Sequence, residues 1–157
     1  MYDLIIIGAG PAGLAAAVYA ARQKIKFAVI AKKIGGQTAM SSDVENYLGF
    51  HLVSGAELIS KFQEHLKDYD IELKTSEVTS LEKNGDNFIV RTQEESFETK
   101  SVLVTSGKEP RKLSVPGEKE FTSKGVTYCA TCDAPLFGGK DVAVIGGGNA
   151  GFETAAQ

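Results

Sequence analysis

The only two cysteines of the sequence lie three positions apart, in the segment Cys129-Ala130-Thr131-Cys132. Thiols at this spacing can form and open a disulfide, which is typical of a redox pair in a reducing compartment. Half of a zinc site and two buried thiols are the alternatives. Zinc requires four ligands, and the only histidines, His51 and His65, lie far upstream without paired spacing. The pattern therefore favours a redox pair and predicts no metal site.

Asp133 follows the second cysteine directly. A carboxyl group beside a dithiol can donate a proton to a departing thiolate, which makes Asp133 a candidate acid. The same side chain can equally be a solvated carboxylate in a turn. The spacing alone leaves both interpretations open.

A glycine pattern near the N-terminus is the second candidate for chemistry. Gly8, Gly10 and Gly13 form a G-x-G-x-x-G sequence directly after the apolar run Leu4–Ile7. Between a strand and a helix this pattern is the dinucleotide-binding fingerprint, in which a helix N-terminus receives the pyrophosphate. A tight strand-to-helix turn without a ligand is the alternative. The acidic residue expected about 20 positions later is replaced by Lys32-Lys33, so the ribose must be held by these lysines or by main chain.

The same pattern recurs late in the sequence. Asp141–Ile145 is predicted to be a strand, and Gly146–Gly151 follows it as a second glycine turn. Because only two copies occur and they are widely separated, they indicate a duplicated fold type and not a solenoid.

The elements around the first turn form a βαβ unit. We predict a strand at Leu4–Ile7, a helix that starts in the glycine turn and runs to about Lys24, and a second strand at Lys26–Ile30. The connection should be right-handed. The polar segment Ala31–Val53 is long for a structureless loop, and such loops are usually functional or disordered.

A helix and a group of strands are predicted further along. Ser54 and Glu57 match a capping box ahead of a helix. Ile71–Lys100 should be sheet, with a hairpin turn at Asn84-Gly85, and Val102–Thr105 has the character of a buried strand.

Composition excludes several functional classes. The chain has 157 residues, 43% of them hydrophobic, with a net charge of −3. It is too apolar to be disordered and lacks the basic surface of a nucleic-acid binder. Glycines and a proline interrupt the uncharged stretch Leu4–Ala21, so it is neither a signal peptide nor a membrane helix. We therefore predict a cytoplasmic protein with no nucleic-acid or membrane partner.

Taken together, the motifs resemble the low-molecular-weight thioredoxin reductase family and the related flavoprotein subunit of alkyl hydroperoxide reductase. They occur in that family's order across the whole chain. The motifs are Gly8–Gly13, Gly35-Gly36-Gln37, Glu45–Phe50, Thr105–Arg111, Val115–Glu118 and Gly125–Asp133.

The resemblance implies an α/β fold: a Rossmann-like FAD-binding domain, with a parallel sheet and an antiparallel β-meander, and the start of a second, NAD(P)-binding Rossmann-like domain. It implies that NADPH or NADH passes electrons through FAD to Cys129 and Cys132, and on to a thioredoxin- or glutaredoxin-like protein, with Asp133 as acid. A homodimer is also implied. The implied FAD residues are Gly8, Gly10, Pro11, Ala12, Gly13, Gly35, Gly36, Gln37, Asn46, Thr105, Ser106 and Gly107. The implied NAD(P) residues are Gly146, Gly148, Asn149, Ala150 and Gly151.

The expected domain layout is 1–112 for the FAD domain, 113–124 for a connector and 125–157 for the beginning of the NAD(P) domain. Few residues follow Gly146, whereas a βαβ unit needs about 30 or more, so we expect an N-terminal portion that does not turn over NAD(P)H by itself. The alternatives are a non-catalytic FAD-binding or subunit-interaction module that needs a partner chain, and a reductase component for a peroxiredoxin system.

Overall fold

The structure is a computed structural model that describes residues 1–41, 43–122 and 124–157, with main chain only for residues 131 and 132. The chain divides into two compact units, Met1–Glu109 and Pro110–Gln157.

The first unit is built on one six-stranded sheet. Its strands follow the order β3-β2-β1-β6-β5-β4. Strands β1, β2, β3 and β6 are parallel to their neighbours in this group, and β4 and β5 extend the sheet as antiparallel strands. The strands span Tyr2–Ala9 (β1), Phe27–Ile34 (β2), Glu72–Thr75 (β3), Val78–Asn84 (β4), Asn87–Thr92 (β5) and Ser96–Val104 (β6).

Two helices cover one face of this sheet. Helix α1 spans Pro11–Arg22 and helix α2 spans Gly55–Leu66. Alternate residues of β1 face opposite sides, so Ile6 packs in the cluster that includes Leu14 of α1, whereas Ile5 belongs to a second cluster with Val90. Both isoleucines are fully buried, which makes β1 the centre of the unit.

Most of the predicted elements of this unit are confirmed. Ser54 caps α2, because its hydroxyl accepts a 3.2 Å hydrogen bond from the amide of Glu57. The hairpin forms, but Asn84 and Asn87 are its closing pair, so the turn residues are Gly85-Asp86 and not Asn84-Gly85. Strand β2 also runs four residues beyond its predicted end.

The long polar segment is more ordered than the sequence predicts. After β2 ends at Ile34, a short 3₁₀ turn covers Thr38–Met40, and Val44 pairs with Val53 in an isolated antiparallel bridge. Gly55 lies tightly against this turn, since a Cβ there would come within 1.7 Å of the Thr38 carbonyl oxygen.

The second unit contains two short helices, α3 at Ala130–Asp133 and α4 at Asn149–Ala156, with a 3₁₀ turn at Ala134–Phe137. The prediction of a strand over Asp141–Ile145 is wrong in this structure, because these residues form no ladder. A strand requires a hydrogen-bonded neighbour, and the only β pairing among the described residues of this unit is the bridge between Thr122 and Val126.

Candidate functional site

The first glycine turn is shaped by close backbone packing. Gly8 is the last residue but one of β1 and has a φ of +111°, and a Cβ there would lie 2.3 Å from the carbonyl oxygen of Thr105. A Cβ on Gly13 would lie 1.9 Å from the carbonyl oxygen of Gly8. The Thr105 hydroxyl donates toward the carbonyl oxygens of Ile7 and Gly8, at 3.0 Å each. Two of the three glycines are therefore required by the protein's own packing.

Gly10 is different, because it faces open space. It adopts an ordinary φ of −75° as the N-cap of α1, and a Cβ on it would meet no atom within 4 Å. Because Gly10 has no side chain, it provides no side-chain cap for α1. Pro11 lies in the first turn of α1, and that turn contains no acidic residue. The open space at Gly10 therefore lies at a helix N-terminus without a side-chain cap, where main-chain amides and the positive end of the helix dipole favour a pyrophosphate.

The segments that follow β2 and β6 meet beside this turn. The Gly35 amide donates a 2.7 Å hydrogen bond to the carbonyl oxygen of Ala9. A Cβ on Gly36 would come within 3.4 Å of the Gly10 Cα atom. The Gln37 side-chain amide donates to the Lys108 carbonyl oxygen, which joins the segment after β2 to the segment after β6.

The carboxyl ends of three adjacent parallel strands, β2, β1 and β6, meet at this place. These contacts bring Gly35, Gly36 and Gln37 to it. The chain leaves β1 toward β2 on one side and later returns as β6 on the other, so the carboxyl ends of these strands form a topological switch point, where a crevice is expected. Open α/β sheets bind their ligands at such a point. Ser106 and Gly107 follow Thr105 at the rim of the same crevice, and Gly107 has a φ of +69°.

Asn46 lies in the segment between the 3₁₀ turn and α2. Together with the rest of the segment 45–51 it lines an open cavity of about 420 Å³. Within the described residues it forms no hydrogen bond to the glycine turn. Tyr47 in this segment packs against Phe50 and Phe62, which supports a packing role for these rings.

The lysine pair at the end of β2 is exposed, and Lys32 already has a carboxylate partner. Its Nζ atom lies 3.1 Å from Glu77, which precedes β4. The charge of Lys32 is thus paired with a carboxylate of the segment between β3 and β4. That the lysines or the main chain hold the ribose of a dinucleotide stays a prediction.

In the second unit, Cys129 is disulfide-bonded. The side chain of Cys132 lies outside the described residues. The Cys129 amide donates a 3.2 Å hydrogen bond to the Thr127 hydroxyl oxygen, and the same hydroxyl donates to the carboxylate of Asp133. The Asp133 amide in turn donates a 3.0 Å hydrogen bond to the Cys129 carbonyl oxygen. The candidate acid is therefore held against the turn that carries Cys129.

Glu118 is a buried carboxylate that sequence reasoning did not select. It accepts hydrogen bonds from the amides of Leu113 at 2.8 Å and Ser114 at 2.6 Å, and from the Tyr128 hydroxyl at 2.6 Å. The Tyr128 hydrogen bond, followed by those from main-chain amides, lowers the pKa of Glu118, and the same bond raises the pKa of Tyr128. This carboxylate thus joins the segment 113–118 to the residue before Cys129. In the sequence it is the last residue of the motif Val115–Glu118.

The second glycine turn repeats the backbone of the first. Gly146 has a φ of +123°, and a Cβ on Gly151 would lie 2.1 Å from the Gly146 carbonyl oxygen. Gly148 is the N-cap of α4, with a φ of −92° and no side-chain cap. Asn149 and Ala150 form the first turn of that helix. The turn therefore adopts the fingerprint geometry although the residues before it are not paired in a sheet.

Residues 1–41, 43–122 and 124–157 contain no group of three or more described histidine, cysteine or acidic side chains that could hold a metal ion. Among the helices described, none has the length and apolar character needed to cross a membrane.

Comparison with known proteins gives consistent matches. A family model described as pyridine nucleotide-disulphide oxidoreductase matches residues 2–157. The chain is 41% identical over 154 residues to a thioredoxin reductase of Bacillus subtilis, covering 98% of this chain and 49% of that protein. It is also 41% identical over 156 residues to an alkyl hydroperoxide reductase subunit of Staphylococcus epidermidis, covering 98% and 31% respectively.

The fold agrees with a solved structure. The crystal structure of a thioredoxin reductase from Streptococcus pyogenes superposes with a TM-score of 0.86 at 43% identity, covering 99% of this chain and 51% of that one. The chain thus spans between about a third and a half of the length of the relatives it matches.

Proposed function

Because this chain belongs to the pyridine nucleotide-disulphide oxidoreductase family, we propose that it carries the flavin and disulfide sites of an FAD-dependent reductase. In this proposal electrons from NADPH or NADH reach the Cys129 and Cys132 pair through FAD and pass to a thioredoxin- or glutaredoxin-like protein. The observation that carries the proposal is the glycine turn, in which Gly8 and Gly13 are packed against backbone while Gly10 faces empty space at a helix N-terminus.

The crevice at the ends of β1, β2 and β6 would hold FAD. The amides at the start of α1 would bind its pyrophosphate. Once bound, FAD supplies a two-electron carrier between a nicotinamide and a disulfide. The other residues proposed to line this site are Pro11, Ala12, Gly35, Gly36, Gln37, Asn46, Thr105, Ser106 and Gly107.

The second turn would bind the nicotinamide nucleotide in the same way, through the uncapped N-terminus of α4 at Gly148. Its proposed contacts are Gly146, Gly148, Asn149, Ala150 and Gly151. We also keep the domain layout expected from the sequence. Residues 1–112 would form the FAD domain, 113–124 the connector and 125–157 the beginning of the NAD(P) domain.

The disulfide step requires two electrons and two protons. Their arrival breaks the bond between Cys129 and Cys132 and leaves two thiols. One thiolate then attacks an acceptor disulfide, and Asp133 protonates the sulfur that departs. The second cysteine closes the protein disulfide and releases the other acceptor thiol. The dithiol has then lost the two electrons that the acceptor has gained.

The test uses the protein in its full natural length. Its absorbance spectrum and native mass should show one FAD per chain and a dimer. Anaerobic addition of NADPH or NADH should raise the number of titratable thiols by two per chain, and neither Cys129→Ser nor Cys132→Ser should gain any. A protein that binds no flavin, or gains no thiols with either nucleotide, contradicts the proposal.

A reductase component of a peroxiredoxin system is the second candidate. The observation that favours it is the 41% identity to an alkyl hydroperoxide reductase subunit, equal to the identity to a thioredoxin reductase. The two candidates differ in their acceptor. Steady-state rates with a thioredoxin and with a peroxiredoxin-type disulfide protein, compared at equal concentration, decide between them.

A further inference from the structure

The hydroxyl group of Thr127 occupies a central position in the redox segment. Its oxygen accepts a 3.2 Å hydrogen bond from the amide of Cys129, and the hydroxyl donates a hydrogen bond to the Asp133 carboxylate. Among the described residues, Thr127 provides the hydrogen bond to that carboxylate. One small side chain therefore connects the turn of Cys129 to the candidate acid.

The geometry gives this hydroxyl a definite orientation. A threonine hydroxyl has one proton to donate and two lone pairs that can accept. Because the Cys129 amide already donates to the oxygen, the hydroxyl is held in place while its proton points to Asp133. The Asp133 amide is also anchored, at 3.0 Å from the Cys129 carbonyl oxygen. Asp133 is thus held through both its main chain and its side chain.

We propose that Thr127 is a positioning residue that holds the Asp133 carboxylate where it can transfer a proton to a departing acceptor thiolate. The inference rests on the proposed function, since it requires Asp133 to act in dithiol exchange. In each cycle the carboxylate takes a proton from a cysteine thiol and gives it to the sulfur whose S–S bond breaks. A correctly placed acid increases the rate of exchange when the departing thiolate is a poor leaving group.

The test measures exchange by the reduced protein without a nicotinamide nucleotide. The full-length protein is reduced with dithiothreitol, desalted and mixed with either hydroxyethyl disulfide or dithiobis(nitrobenzoate). The alkyl thiolate from the first probe needs a proton in order to leave, whereas the aromatic thiolate from the second leaves readily without one. The ratio of the two rates therefore reports proton donation and not overall folding.

Thr127→Val removes the hydroxyl but keeps the shape of the side chain, and Thr127→Ser keeps the hydroxyl. The Val variant should react about tenfold more slowly with the alkyl disulfide, which corresponds to about 1.4 kcal/mol, and within twofold of wild type with the aromatic one. The Ser variant should restore the alkyl rate. Thr122→Val makes the same chemical change at a hydroxyl that binds the Glu118 carbonyl oxygen, and it should leave the ratio unchanged.

A double variant tests whether Thr127 acts through Asp133. In an Asp133→Asn background, Thr127→Val should cause no further loss, because the group that it positions is already gone. Four results would each overturn the inference. The first two are additive losses in the double variant and equal losses with both disulfides. The other two are failure of the Ser variant to restore the rate and an unchanged alkyl rate in the Val variant. Thr127→Ala is the second variant if the Val protein does not fold.

The outcome can be separated from that of the proposed function. A protein that binds no FAD yet shows the hydroxyl-dependent alkyl rate contradicts the flavin proposal and supports the positioning role. A protein that is reduced by NADPH or NADH but shows equal losses with both probes supports the reductase and contradicts the positioning role.

Discussion

Replacing Gly13 or Gly10 by alanine should separate the packing role of the glycine turn from its binding role. In Gly13→Ala the new Cβ would start 1.9 Å from the Gly8 carbonyl oxygen and 2.8 Å from the Thr105 hydroxyl. Carbon atoms are not found closer than about 3 Å to such atoms, so helix or turn must move by about 1 Å. The nearest contact is backbone, which cannot rotate out of the way.

The size of the effect follows from two opposing contributions. Overpacking costs about 1–3 kcal/mol, and a clash with backbone belongs at the upper end. Alanine regains up to about 1 kcal/mol from its higher helix propensity. The net loss for Gly13→Ala is therefore about 2 kcal/mol of unfolding free energy. With a urea dependence of about 2 kcal/mol per molar, the unfolding midpoint should fall by about 1 M.

Gly10→Ala should behave in the opposite way. Its φ of −75° suits alanine, and no atom lies within 4 Å of the new Cβ. The unfolding free energy should stay within about 0.5 kcal/mol of wild type. FAD affinity should fall at least tenfold (about 1.4 kcal/mol), because the methyl group occupies the space where the pyrophosphate approaches.

Urea unfolding of the flavin-free protein, followed by circular dichroism, and quenching of FAD fluorescence measure the two effects. Equal stability losses in both variants would refute the distinction between packed and open glycines. Wild-type FAD affinity in Gly10→Ala would refute the assignment of the open space to the pyrophosphate.

Three other outcomes follow from the contacts described. Thr105→Val should lower the unfolding free energy by about 1 kcal/mol, because the carbonyl oxygen of Gly8 loses a hydroxyl donor, whereas Thr105→Ser should not. Gly55→Ala should lower it by about 3 kcal/mol in the same urea assay, since a Cβ would lie 1.7 Å from the Thr38 carbonyl oxygen. The folded-state pKa of Glu118 is lowered from 4.5, so its carboxylate stabilises the fold above that pH and this stabilisation is lost as the pH falls through the folded value. Glu118→Gln should therefore show a weaker decline of the urea midpoint between about pH 5 and pH 3; an unchanged decline would contradict the assignment.

Local signals in the sequence predicted the local structure well. The glycine turn after β1 forms as expected because its backbone conformation depends on residue types at fixed spacing. The Ser54 cap forms because its partner amide is only three residues away. The one-residue error in the hairpin turn shifts the residue pairs, so that Asn84 pairs with Asn87, but β4 and β5 remain antiparallel neighbours and the same faces stay buried.

Features that depend on strand pairing or on side-chain hydrogen bonds were harder to predict. Asp141–Ile145 has strand composition, but its state depends on a pairing partner and not on propensity. Glu118 and Thr127 lie within the motifs Val115–Glu118 and Gly125–Asp133, but the hydrogen bonds of their side chains emerge only in the folded structure. The resemblance to a known family identified the segments but not these contacts.

The order of strands in the sheet has a consequence for synthesis on the ribosome. Strand β1 is made first, yet one of its two neighbours is β6, and the Thr105 hydroxyl that binds Gly8 lies 97 residues later in the chain. Until β6 emerges, β1 presents an apolar edge that can pair with other chains. A dinucleotide turn that is encoded within six residues at the N-terminus is thus among the last parts of the first unit to be completed.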